Sequence, residues 1–134
     1  MDYEYMRESF FEHVGGNLFI ESGTSDKVTA AYKECMEALH EYKKLINDLD
    51  KVNKKLKHKI ETEDDIPEKY RRIYTASQEC INSSRESYKK FEKDIKNMRS
   101  TMNIEGLQFT TSGIRFAIKT VENQITMTKK IINE

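Results

Sequence analysis

The chain has 134 residues, enough for one domain with a modest core. Charged residues make up 34% and hydrophobic residues 37%, and 23 basic side chains balance 23 acidic ones. That balance lacks the basic excess of a duplex nucleic-acid binder, while one proline and five glycines suit long helices better than strands.

Residues 1–22 read as a short N-terminal helix and a linker. Tyr3, Met6, Phe10 and Val14 recur at three and four over 1–14, Asp2 is a candidate cap, and Gly15-Gly16 ends the pattern. Leu18-Phe19-Ile20 fits no assigned element, and Ser22-Gly23-Thr24-Ser25 reads as a loop leading to an N-cap. The clearest helix spans 25–61. Its seam is Val28, Tyr32, Cys35, Leu39, Tyr42, Ile46, Leu49, Val52, Leu56 and Ile60, spaced by three or four throughout. Ala31, Ala38 and Leu45 widen the apolar stripe in the first half, where two partners can pack.

An acidic turn follows. Asp65 with Glu68 resembles a capping box, with Pro67 in the first turn of a helix over 66–102. The seam of this helix is Tyr70, Ile73, Ser77, Cys80 with Ile81, Ser84, Tyr88, Phe91, Ile95, Met98 and Met102. Its middle is small and polar, so a neighbour's bulky side chain is expected to enter there. Asn103 to Phe109 interrupts the pattern at Gly106, and Thr110-Thr111-Ser112 offers caps for a last helix over 112–133. Ile114, Ile118, Val121, Ile125 and Ile132 form its core face, with Thr128 in the remaining register position.

The expected fold is therefore all-α: one domain over 1–134, built on a long antiparallel helical hairpin. A third, shorter helix packs on the hairpin's base, and a short N-terminal helix joins it there. A short connection makes the two long helices antiparallel neighbours. The last helix, at about 22 residues and 1.5 Å per residue, is roughly 33 Å long and covers only the base. The tip is then left with two helices. Val52, Leu56, Ile60, Ile66, Tyr70, Ile73 and Tyr74 become candidate partner-binding residues, because an exposed apolar patch marks an interaction site. Tyr3, Met6, Phe10 and Phe11 form a second candidate, an aromatic segment that docks on the base or in a partner's groove.

Catalytic and cofactor chemistries find little support. Glu37 and His40 give one Glu-x-x-His, whereas a di-iron bundle needs two such motifs and two more glutamates. Cys35 and His40 are five apart and point in different directions on one helix, which does not assemble a nucleophile with its base. Gly15-Gly16 lacks phosphate-loop spacing. No enzyme activity, metal, cofactor or small-molecule substrate is expected. Lys51, Lys54, Lys55, Lys57, His58 and Lys59 form a local basic cluster, but Glu61, Glu63, Asp64 and Asp65 follow at once, and a solvated face is the simpler account. Folding the hairpin at about residue 64 separates Cys35 from Cys80 by roughly 20 Å at the helical rise, too far for a disulfide.

No apolar run approaches the roughly 20 residues of a membrane span, and Asp at position 2 excludes N-myristoylation. A cytoplasmic protein with reduced thiols is expected, with secretion lacking a classical signal left open. The expected function is non-catalytic: a subunit or adaptor that binds protein partners, or itself, by helix packing. The alternatives are a helical chaperone or secretion-associated hairpin that escorts a client, and a nucleic-acid or acidic-lipid binder acting through Lys51–Lys59.

Overall fold

The computed structural model describes the backbone of residues 18–134 and the side chains from Ser25 onward. The expected N-terminal helix lies outside the described residues. Among the described residues three helices pack against one another: α1 (Leu18–Thr62), α2 (Glu68–Ser100) and α3 (Ile104–Ile132). No strand occurs among the described residues.

The expected α1 seam from Val28 to Leu56 is buried throughout. The helix begins earlier than expected and runs through Ser22-Gly23-Thr24. A mid-helix glycine costs about 1 kcal/mol, but extending an existing helix adds a hydrogen bond per residue fixed, so one such penalty does not set the boundary. At the α1–α2 turn, Asp65 takes the left-handed conformation with φ 53°, and Pro67 precedes the first helical residue. The Pro67 carbonyl accepts the Tyr70 N–H at 3.1 Å. Asp65 therefore shapes the turn, and the expected capping box gives way to that contact.

The α2–α3 connection is tighter than expected. Met102 is left-handed, with φ 54°. Its N–H donates to Arg99 O at 3.2 Å, and the Asn103 N–H donates to Met98 O at 2.9 Å. These two bonds make a Schellman ending, here with Met where Gly is usual. Asn103 then caps α3: its Oδ1 accepts the Gly106 N–H at 2.9 Å. α3 consequently starts at Ile104 instead of 112 and has 29 residues. The threonines expected as caps lie inside the helix. Thr110 and Thr111 are buried, and the Thr111 hydroxyl donates to Leu107 O at 2.9 Å.

Packing divides the chain into two compact units, each holding a segment of every helix. The first comprises residues up to Glu41 with Lys89–Arg115; the second comprises Tyr42–Tyr88 with Phe116–Glu134. In the first unit the core is Val28, Tyr32, Cys35, Leu39, Ile95, Leu107 and Ile114. The Arg99 guanidinium lies 5.7 Å from the Tyr32 ring centre, and Arg115 pairs with Glu34 at 2.8 Å. α1 and α3 therefore run side by side and parallel here, each antiparallel to α2.

In the second unit Tyr42, Ile46, Leu49, Leu56, Ile81, Ile118 and Val121 are buried. The small, polar middle of α2 does receive a bulky neighbour. The Tyr42 hydroxyl hydrogen-bonds with Ser84 and Ser87. Further along, Gln124 Nε2 donates to Ser77 Oγ at 2.9 Å, Ser77 and Thr128 share a 2.8 Å bond, and Thr128 donates to Gln124 O at 2.7 Å. Each buried hydroxyl in this layer is thus satisfied.

Candidate functional site

The hairpin tip is not bare. α3 extends to it, so Leu56 (0% exposed), Tyr70 (7%) and Ile131 (6%) form a buried cluster. Ile60, Ile66, Ile73, Tyr74 and Ile132 pack against that cluster half-buried, and Val52 is buried as well. Of the seven tip residues expected to be incompletely buried, Val52, Leu56 and Tyr70 are buried, while Ile60, Ile66, Ile73 and Tyr74 are half-buried. The expectation rested on a last helix too short to arrive, and the earlier start at Asn103 supplies the missing reach. Tyr3, Met6, Phe10 and Phe11 lie outside the described residues.

The lysine stretch is partly structural. Lys59 Nζ donates to Ile132 O at 2.8 Å, closing the C-terminal end of α3, and lies 5.3 Å from the Tyr70 ring centre. Lys54 pairs with Asp50 at 3.2 Å and Lys57 with Glu61 at 3.9 Å. Asp50 also meets Arg85 at 3.5 Å. Lys51, Lys55 and His58 face solvent.

The buried polar and thiol groups are held neutral. Burial raises the Cys35 thiol above its ordinary value, against the lowering effect of a hydrogen bond with Thr111. Burial likewise raises the Tyr32 and Tyr42 hydroxyls. Such groups are poor nucleophiles near neutrality, because the thiolate and not the thiol reacts. Among the described residues no three metal-ligating side chains gather, and Glu37 with His40 gains no third ligand there. An open depression along α2 is lined by Glu68, Arg71, Arg72, Thr75, Ala76 and Glu79, where acidic and basic groups offset one another.

The feature that stands out is the outward face of α3. In the second unit Phe116 is 75% exposed and Met127 is 49% exposed. They are eleven residues apart, about three helical turns, so they share a face. Thr120 and Asn123 lie between them at the same register, exposed and uncharged. In the first unit Phe109 is 80% exposed. The sequence held a signal for this face. Phe116 lies two residues from each of Ile114 and Ile118, so it must point away from the face those two define.

No helix among the described residues is long and apolar enough to cross a membrane. Among the described residues the protein is all-α, three packed helices with Phe116 and Met127 exposed on one face of α3 and Lys119 and Lys130 flanking them. No protein-family model matches the chain, and no curated protein or solved structure is significantly similar to it.

Proposed function

We propose that the chain is a non-catalytic interaction module, a subunit or adaptor that receives a helix of a partner protein on the outer face of α3. The observation that carries this is Phe116, a phenylalanine held three-quarters in solvent on a well-formed helix. Fully burying such a ring is favourable by about 1.5–3 kcal/mol. Along its line Thr120, Asn123 and Met127 bring no charge, and Lys119 and Lys130 stand at the edge as a polar rim. Interface cores have that composition, enriched in aromatic residues and Met and depleted of charge. Two apolar anchors about three turns apart on one face of a rigid helix suit helix-against-helix recognition. The tip residues act in this reading as the scaffold that fixes α3, and Cys35 and Cys80 fit a reducing, cytoplasmic setting.

The test is affinity recovery from the source cells with quantitative mass spectrometry, comparing the native chain with Phe116→Asp and Met127→Asp. Proteins retained by the native chain and lost by both variants, at unchanged helicity, are the expected partners. Equal recovery by all three chains would place the interface elsewhere.

A further inference from the structure

The second unit carries a polar layer through its core. Asn53, Ser77 and Thr128, one from each helix, are all buried. On each helix the polar residue falls between two apolar core positions. Leu49 and Leu56 flank Asn53, Ile81 and Tyr70 flank Ser77, and Ile125 and Ile131 flank Thr128. Leu56, Tyr70 and Ile131 form a buried cluster of their own at the tip. The layer therefore stands between that cluster and the rest of this unit's core.

The hydrogen bonds of the layer do not close. A hydroxyl has one hydrogen to give. Thr128 gives its own to Gln124 O at 2.7 Å, so Ser77 is the donor in the 2.8 Å bond with Thr128. Asn53 Nδ2 donates to Tyr74 O at 3.3 Å, which turns Oδ1 away from that carbonyl. No hydroxyl hydrogen of the layer is left for Asn53 Oδ1, and this buried oxygen has no partner among the described residues. An unpaired buried acceptor is destabilising, and the layer forfeits the burial that three apolar side chains would bring. Beyond it the tip is held by the small cluster with its half-buried neighbours, by Lys59 on Ile132 O, and by Lys69 with Glu134. The last is an exposed ion pair, a kind that contributes little.

We infer that the tip, residues 54–76 with 129–134, opens as one cooperative piece at this layer while the rest of the second unit stays folded. Proteins open in such contiguous pieces, at free energies below that of global unfolding. Opening hydrates Asn53 Oδ1 and so relieves its unpaired state. The device works whether or not a partner sits on Phe116.

The test is native-state amide hydrogen exchange on the full chain, resolved by residue with NMR. Amides of residues 56–60 and 70–74 should share one opening constant, larger than the global unfolding constant measured in urea. Ile118→Val, on the other side of the layer, should raise the global constant about fivefold and leave the tip's constant unchanged. Asn53→Leu, close to Asn in shape, should lower the tip's constant about tenfold, because the unpaired acceptor goes while Tyr74 O keeps its place in the helical ladder. A tip constant that equals the global one, or rises with it in Ile118→Val, would make the unit one cooperative block and overturn the inference. Protection that climbs residue by residue from the turn, with no shared value, would be simple fraying and would overturn it too. So would an Asn53→Leu chain whose tip opens as often as the native one or more often.

Discussion

Shortening Ile131 to Ala probes whether α3 covers the hairpin tip. Ile131 is 6% exposed against Leu56 and Tyr70. The change removes three carbons at about 0.8 kcal/mol each, with a cavity contribution that the end of a helix partly relaxes, giving a loss of about 2–3 kcal/mol. Leu56→Ala, at a fully buried position, should cost about 3–4 kcal/mol by the same reckoning. The two side chains pack in one cluster, so the double variant should lose less than the sum, by about 0.5–1.5 kcal/mol. Urea unfolding followed by far-ultraviolet circular dichroism gives each value, with the slope against denaturant unchanged. A cost below about 0.5 kcal/mol for Ile131→Ala, the range of a surface change, would refute the packing of α3 on the tip. Strict additivity of the two changes would refute it too.

Met102 holds a left-handed conformation that costs a non-glycine residue roughly 1–2 kcal/mol. Met102→Gly should therefore raise stability by about 0.5–1 kcal/mol after the added freedom of the unfolded chain is counted, and thermal unfolding will show whether it does. Alkaline pH should act through Cys35. Burial raises its thiol in the folded state, so the stability it contributes is complete below the ordinary thiol value of about 8.5 and falls as pH rises from there through the raised value. Cys35→Ala should flatten that part of the stability profile measured in urea between about pH 8 and 10.

Much of the architecture is readable from periodicity. The α1 seam from Val28 to Leu56 is buried at every position, because a heptad-like pattern sustained that long leaves one choice of inward face. Thr128 took its expected core place, with a hydroxyl partner in Ser77. Boundaries were less legible. Glycine and threonine signals placed helix starts at Ser22–Ser25 and Thr110–Ser112, yet both stretches lie inside helices. Local preferences worth about 1 kcal/mol yield to helix propagation and to the burial of Thr110 and Thr111. The start of α3 had a usable sign in Asn103, a strong capping residue, but Gly106 three residues on read as a break. That single boundary moved the candidate site. A last helix starting at 112 leaves the tip bare, whereas one starting at 104 covers it and leaves Phe109 and Phe116 facing solvent.

The central claim is that the outer face of α3, and not the tip, meets the partner. Once a partner is recovered, isothermal titration of that protein into the native chain, Phe116→Asp and Ile73→Ala tests it most directly. Phe116→Asp should weaken binding by at least tenfold, in line with the loss of one interface anchor of about 2 kcal/mol, while keeping the native unfolding midpoint. Ile73→Ala should lower the midpoint and leave the affinity of the folded protein unchanged. Undiminished binding by Phe116→Asp, together with lost binding by a folded Ile73→Ala, would contradict the account and return the interface to the tip.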